Sequence, residues 1–197
     1  MEDSSQNPIV PLEPNSLYIC LNQILVPGRY HWALYITGGI SPSGTVAERH
    51  EWCEVRNRSS KDDPVEAYMH YKVNPVGEIT ERDFQFTLAV IKITAYVPPG
   101  PSASNTGDSE SHFDFVDLFS NPPIFEESYS NWMINRKKGI NCRVWVLKAL
   151  ERLRLNGLIV SLEREDIEAI EGKVTDVGHK ATEKVASGEV KTVVTSL

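Results

Sequence analysis

Cysteine is scarce in this chain, which has three in 197 residues, Cys20, Cys53 and Cys142. An odd number of cysteines without paired spacing does not build a disulfide framework, and none has a His or Cys nearby at the spacing of a metal site. We therefore expect three free thiols in a reducing, cytoplasmic compartment. Cys20 lies in an apolar run and Cys53 follows Trp52, so both are expected to be small buried residues.

Long apolar runs and a targeting segment are also lacking. No stretch approaches the ~20 consecutive apolar residues that a membrane-spanning helix needs. Residues 1–7 are acidic and polar, whereas a signal peptide begins basic and then becomes apolar. The sequence therefore predicts an unexported protein with no integral membrane segment.

The chain has fewer basic than acidic residues, 20 Lys and Arg and 27 Asp and Glu, which gives a net charge of −7. Binding to a phosphate backbone needs a positive surface, so no nucleic-acid partner is expected. The short basic run at 136–138 is interpreted as a solvated loop. The sequence has no phosphate-binding glycine loop and no metal-ligand motif, so no cofactor is expected.

What the chain does have is enough apolar residues, 41%, to bury the core of one domain. Apolar, β-rich runs predict strands over 17–25, 30–37, 46–55, 67–73 and 84–97. The predicted organisation is a flexible arm at 1–15, a domain at 16–160 with a mobile insertion at 98–111, and a C-terminal helix and tail at 161–197. The expected fold class is α+β, an antiparallel sheet packed against a cysteine-bearing helix.

That helix has the strongest local signals. Asn141 is a favoured N-cap and Asn156-Gly157 is a favoured stop, which together predict a helix over 142–156. Apolar residues recur within it at i, i+3 and i+4 and form one stripe, made of Trp145, Val146, Ala149, Leu150 and Leu153. Cys142 falls at the tip of the buried stripe.

A last helix is predicted to begin after Ser161, whose hydroxyl can cap it. Its apolar residues lie three and four apart and make a narrow seam, composed of Ile167, Ile170, Val174, Val177, Ala181 and Val185. The seam can dock on the domain or pair with a protein partner, and the sequence leaves both open.

The most informative pair of residues is His31, in a predicted strand, and Cys142, at a predicted helix start. A thiol in the first turn of a helix is activated by an imidazole from a neighbouring strand, because the helix dipole favours thiolate and the imidazole takes the proton. We therefore predict Cys142 as a nucleophile and His31 as its general base. On its strand His31 shares a face with Ala33 and Tyr35, opposite a more apolar face.

The run from His31 to Ile36, a following hairpin, and Asn141-Cys142 opening an amphipathic helix resemble the circularly permuted papain-like arrangement. Its histidine precedes the cysteine, opposite to the order in papain and NlpC-type peptidases. Similar patterns belong to the lecithin retinol acyltransferase family, to the HRAS-like suppressor phospholipase/acyltransferases, to PPPDE peptidases and to uncharacterised fungal proteins with Asn-Cys-x-x-Trp-Val. The resemblance implies a thiol hydrolase or acyltransferase acting on an amide, isopeptide or ester of a protein, peptide or lipid.

In the acyltransferase families a second histidine on the following strand orients the first. A hairpin that turns symmetrically about Ser41 and Pro42 places His50 opposite Ala33 and diagonal to His31, which makes His50 the predicted third residue. A one-residue slip brings Glu51 or Arg49 there instead, and a carboxylate suits the orienting role equally well. The alternative to an enzyme is an inactive papain-like scaffold that serves as a protein-binding module.

Overall fold

A six-stranded sheet carries the fold. The computed structural model describes residues 12–24, 26, 28–41, 44–55, 65–73, 87–98, 113–129, 131–188 and 192–197. The strands are β1 Ser16–Gln23, β2 Tyr30–Ser41, β3 Gly44–Val55, β4 Val65–Val73, β5 Thr87–Ala95 and β6 Val193–Ser196. Across the sheet they follow the order β4-β3-β2-β1-β5-β6. Most of the predicted arm and of the predicted insertion lies outside the described residues.

The sheet is mixed, so the expectation of a wholly antiparallel sheet was wrong at one edge. Neighbours from β4 to β5 are antiparallel, but β6 pairs parallel with β5, from Ala89–Val193 to Lys92–Ser196. The end of the chain was expected to be a tail. Its four residues form a strand because the long helix before them, Arg164–Ala186, returns the chain to the edge of β5.

Four helices are described, α1 Phe115–Ser120, α2 Trp132–Lys137, α3 Cys142–Leu155 and α4 Arg164–Ala186. The predicted start of α3 is confirmed, because the Val144 amide donates to the side chain of Asn141 at 3.1 Å. The predicted cap of α4 was wrong. Glu163 and Asp166 form a reciprocal capping box there, whereas the Ser161 hydroxyl is hydrogen bonded to Thr94 at 2.6 Å.

The main core lies between one face of the sheet and the helices α3 and α4. The predicted stripe of α3 is buried in it, together with the apolar face of β2. The seam of α4 also packs here, since Ile167, Ile170, Val174 and Ala181 are buried and Val177 and Val185 are partly covered. The seam therefore docks on the domain, and it is already covered where a protein partner would need it.

Gly178 explains why the seam of α4 is interrupted. A Cβ atom at this position would lie 2.6 Å from Cε2 of Tyr30 and 2.9 Å from Cδ1 of Leu21. The Tyr30 hydroxyl is also hydrogen bonded to Thr182 at 3.1 Å. The missing side chain thus lets α4 approach β1 and β2 closely, right beside His31.

The other face of the sheet carries a smaller apolar cluster, composed of Leu12, Tyr18, Cys20, Ala33, Tyr35, Ala47 and Val90. The three cysteines are free; Cys20 is buried, as expected, and Cys53 is half-buried. Among the helices described here, α4 included, none has the length and apolar character needed to cross a membrane.

Candidate active site

The candidate site lies where β2 and β3 part. Their described pairing runs from Ser41–Gly44 to Ala33–Glu51. Beyond that point the first residues of β2 continue along β1, and the last residues of β3 continue along β4. Helix α3 packs on both strands, and its first residue reaches this opening.

Cys142 and His31, far apart in the sequence, meet at the opening. Cys142 and His31 lie close enough for each to shift the pKa of the other, and the backbone of Trp32 also contributes to the shift at Cys142. Cys142 is 7% exposed, and the His31 side chain is 21% exposed. The thiol is therefore held on a rigid helix start, while one side of the imidazole faces solvent.

Glu51 is the residue beside His31. Nε2 of His31 lies 2.6 Å from Oε2 of Glu51, and the carboxylate is almost fully buried. Because Nε2 donates to Glu51, the other ring nitrogen, Nδ1, is left for the thiol. The imidazole thus interacts with both the sulfur and the carboxylate, and it is hydrogen bonded to the carboxylate.

The predicted register of the β2–β3 hairpin, and with it the position of His50, was wrong. Ala33 pairs with Glu51 instead of His50, since Ser41 pairs with Gly44 and the strands shift register between Thr37 and Ile40. A later turn and a bulge together move the register by one residue, which reverses the face of every side chain on β3. His50 consequently points to the opposite side of the sheet from His31.

Arg49 completes the group from the same face of β3, two residues before Glu51. Its Nη2 and Nε atoms lie 2.6 and 3.0 Å from Oε2 of Glu51. Burial tends to raise the pKa of Glu51, but the His31 hydrogen bond and the Arg49 charge outweigh burial and lower it. Glu51 is therefore an anion placed between two cationic groups.

The charges of Cys142 and His31 support each other. Burial alone would raise the pKa of Cys142, but the hydrogen bonds from His31 and the Trp32 amide lower it below its ordinary value. Burial alone would lower the pKa of His31, but hydrogen bonds with Cys142 and Glu51 raise it to about 9. Both shifts favour a thiolate paired with an imidazolium.

The other two cysteines have raised pKa values, which favour the neutral thiol. Burial raises the pKa of Cys20 to about 12. Burial, followed by the negative charge of Glu51, raises the pKa of Cys53 to about 12 as well. Of the three cysteines, Cys142 is therefore the one whose pKa is lowered, which favours its thiolate form.

Asn135 is a structural residue of the site that sequence reasoning missed. It is fully buried, and its Nδ2 donates to Oε2 of Glu66 and to the carbonyl of Tyr129, both at 3.0 Å. Its Oδ1 accepts from the Tyr129 amide at 2.9 Å, and its carbonyl accepts from the Ile140 amide at 2.8 Å. Asn135 thus ties the segment that leads into Cys142 to β4.

The basic run at 136–138 was expected to be a solvated loop, but its first residue, Arg136, lies on α2 and interacts with the site. Arg136 is about half exposed and lies 3.8 Å from Glu66, and its charge contributes to the lowered pKa of Cys142. No sequence motif marks Arg136 or Asn135, because both depend on how α2 is placed against β4.

A separate group of possible metal ligands, Glu48, His50 and His70, lies on the helix-facing side of the sheet. Of the remaining histidines, His179 lies beside Tyr30 on α4 and His112 is outside the described residues.

Comparisons of the chain with protein-family models, curated proteins and solved structures found no match. The α+β fold class and the proximity of a thiol and an imidazole at a helix start are therefore described from the structure of this chain alone.

Proposed function

We propose that this protein is a thiol hydrolase or acyltransferase that acts on an amide, isopeptide or ester. Cys142 is the nucleophile, His31 the general base and acid, and Glu51 the residue that orients the imidazole. The observation that carries the proposal is the interaction of His31 with both Cys142 and Glu51 at the start of α3, with the His31–Glu51 hydrogen bond at 2.6 Å. We further propose that the arrangement is a circularly permuted papain-like one, supported by the chain order of strand histidine, sheet and cysteine helix.

The first half of the reaction forms a thioester. The Cys142 thiolate attacks the acyl carbon, and a carbon–sulfur bond forms. The carbon–nitrogen or carbon–oxygen bond then breaks, and the leaving amine or alcohol takes the proton that His31 carries. The electron pair of the broken bond leaves with the nitrogen or oxygen, so no oxidant or reductant is required.

The second half releases the acyl group. Neutral His31 takes a proton from water, or from an amine or hydroxyl acceptor, while the oxygen or nitrogen of that molecule attacks the thioester. The carbon–sulfur bond breaks, and the thiolate–imidazolium pair is restored. Water makes the reaction a hydrolysis, and another acceptor makes it a transfer.

The start of α3 also supports stabilisation of the oxyanion. The first amides of an α-helix have no carbonyl one turn back to accept from them, and the helix dipole adds partial positive charge. The amide of Cys142 is one of these groups and lies next to the sulfur. We assign it to the negative oxygen that develops when the carbonyl is attacked.

Arg49 acts through Glu51 and is a positioning residue in this proposal. Its two contacts with Oε2 of Glu51 keep the carboxylate charged and fixed in direction. A fixed, charged Glu51 favours the protonated imidazole that the thiolate needs.

The proposal is tested by measuring how fast each cysteine reacts with iodoacetamide at pH 7, using mass spectrometry of the folded protein. We expect Cys142 to react far faster than Cys20 and Cys53, and His31→Ala to remove most of that advantage. His179→Ala, a change at an exposed histidine on α4, is the matched control and should leave the rate at Cys142 unchanged. Equal rates at the three cysteines, or no effect of His31→Ala, would overturn the proposal and favour a binding scaffold.

The substrate class is tested with two electrophiles, a peptidyl vinyl methyl ester and a long-chain alkyl chloromethyl ketone. Selective labelling of Cys142 by the first indicates amide or isopeptide substrates, and by the second indicates lipid acyl substrates. Cys142→Ala must abolish either signal, because the thiolate is the group that the probes capture.

A further inference from the structure

A second cluster of polar side chains lies across the sheet from the thiol pair. His50 on β3 pairs directly with His70 on β4, and Glu48 lies two residues before His50 on the same strand. Directly opposed residues, and residues two apart on a strand, point to the same face. The sheet therefore brings two imidazoles and one carboxylate together on its helix-facing side.

We propose that Glu48, His50 and His70 form a binding site for a divalent transition-metal ion, with Zn²⁺ as the best-fitting ion. The site shares no residue with the proposed catalytic chain and does not depend on it.

The distances within the cluster fit a tetrahedral ion. Oε2 of Glu48 lies 3.4 Å from Nε2 of His50 and 3.2 Å from Nε2 of His70. Ligands that bind a tetrahedral Zn²⁺ at about 2.0–2.1 Å stand roughly 3.3 Å apart from one another. One ligand atom from each of the three residues lies within 4.8 Å of the other two, so one ion can reach all three with small side-chain adjustments.

Nδ1 of His50 makes the kind of hydrogen bond that usually orients a metal-binding histidine. Nδ1 of His50 is hydrogen bonded to the Tyr68 hydroxyl at 2.8 Å, which orients the ring. Nε2 of this fully buried ring then faces Glu48 and His70, and its 3.4 Å approach to Oε2 of Glu48 lacks the geometry of a hydrogen bond. A buried nitrogen without a well-formed hydrogen bond is costly, and a bound cation would satisfy it.

The surroundings separate the site from bulk water without closing it. The ring of Phe119 meets that of His50 edge-on at 5.2 Å, and Phe115 does so at 6.2 Å. His70 has a side chain that is 24% exposed, which leaves an approach from solvent. Two imidazoles and a carboxylate leave a fourth position that a water molecule can fill, as is typical of three-ligand zinc sites.

The test uses the full-length Cys142→Ala variant, so that the thiol cannot contribute a ligand. Calorimetric titration of this variant with ZnCl₂ should give one equivalent of bound Zn²⁺, and titration with CoCl₂ should give the visible absorption of a tetrahedral site without sulfur ligation. His70→Ala and Glu48→Gln, each in that background, should weaken Zn²⁺ binding by at least about tenfold, since loss of even an outer-shell partner costs that much.

His179→Ala is the matched control, a histidine outside the cluster, and should bind Zn²⁺ as the parent does. Thermal melting in EDTA checks that each variant is folded, and added ZnCl₂ should raise the midpoint only where the cluster is intact. Failure of the folded parent to bind micromolar Zn²⁺ would overturn the proposal. So would unchanged binding in both His70→Ala and Glu48→Gln.

Discussion

At the scale of single residues, the reactivity that we propose for Cys142 depends on the charges of three neighbouring side chains, His31, Glu51 and Arg49. Glu51 accepts hydrogen bonds from His31 and Arg49 through the same oxygen, Oε2. The Glu51 carboxylate therefore stabilises the positive charges of both His31 and Arg49. Protonated His31 in turn stabilises the Cys142 thiolate. Any change that neutralises Glu51 weakens the imidazolium first and the thiolate second.

Glu51→Gln tests this order. The amide keeps the shape of the side chain but removes its charge, so we expect the pKa of His31 to fall and that of Cys142 to rise. The alkylation rate of Cys142 below its pKa should drop by about tenfold for each unit by which that pKa rises. The measurement is the pH profile of iodoacetamide alkylation. Glu54→Gln, an exposed position on the same strand, is the control. An unchanged profile in Glu51→Gln would mean that Glu51 only fills space.

Asn135→Ala tests the support of the segment before Cys142. The change removes both ends of the buried amide and leaves Glu66 and the backbone groups of Tyr129 without these partners. We expect a loss of about 2–3 kcal/mol in the free energy of unfolding, measured with urea, because buried polar groups become unsatisfied. Lys137→Ala, exposed on the same helix, should change stability little. A loss below about 0.5 kcal/mol in Asn135→Ala would show that water replaces the amide.

At the scale of secondary-structure elements, the close approach of α4 to the sheet depends on one glycine. Tyr30 contacts the helix at Gly178, and the next residue of β2 is His31. The docking of α4 and the placement of the His31 imidazole therefore both depend on the position of the first residues of β2.

Gly178→Ala should destabilise the protein by about 1–3 kcal/mol, because the new methyl group overlaps the Tyr30 ring in a packed core. Gly172→Ala on the same helix meets no atom within 4 Å and should stabilise by about 0.5–1 kcal/mol through helix propensity. Urea unfolding of both variants gives the comparison. Stabilisation by both changes would mean that α4 does not sit against Tyr30 as described.

The elements also show how far the sequence could predict this molecule. β2 and α3 were predictable because each buries one face and so carries a clear period, and Asn141 marked the start of α3. The cap of α4 was harder, since Ser161 is a favoured N-cap by residue type and Glu163, the observed N-cap, is not. β6 gave no signal, because four residues are too few to establish a period.

The candidate site was predictable only in part, for a geometric reason. His31 and Cys142 each had a local signature, a polar residue on a strand and a thiol next to a cap. The third residue depended on register, and the bulge between Thr37 and Ile40 has no sequence mark that fixes it. Polar residues on both faces of β3, such as Glu51 and His50, removed the usual evidence against a one-residue slip.

At the scale of the whole molecule, the thiol pair should shape how stability depends on pH. The lowered pKa of Cys142 and the raised pKa of His31 predict a thiolate–imidazolium pair in the folded state, which would hold one proton across a wide range of pH. In the unfolded chain a histidine has a pKa of about 6.5 and a cysteine about 8.5. Between these values the unfolded pair also holds one proton, so the raised pKa of His31 and the lowered pKa of Cys142 give opposite slopes that cancel.

Outside that window the two states hold different numbers of protons. Below pH about 6.5 the unfolded histidine takes up a second proton, so stability falls as the pH falls, until the folded thiolate is itself protonated. Above about 8.5 the unfolded cysteine loses its proton. Stability then falls as pH rises, until His31 deprotonates near its folded pKa of about 9. Each limb has a slope of at most about 1.4 kcal/mol per pH unit.

This dependence is isolated by subtracting the unfolding free energy of the double variant His31→Gln/Cys142→Ala from that of the natural chain across pH 5 to 10. The double variant keeps the other titrating groups, including Glu48 and His70, so their contributions cancel in the difference. We expect a plateau between about 6.5 and 8.5 with a decline on both sides. A difference that only rises with pH would mean that His31 is not protonated in the fold, and one that only falls would mean that Cys142 remains a thiol. Either result would leave the two groups in contact but without the charge separation on which thiolate attack depends.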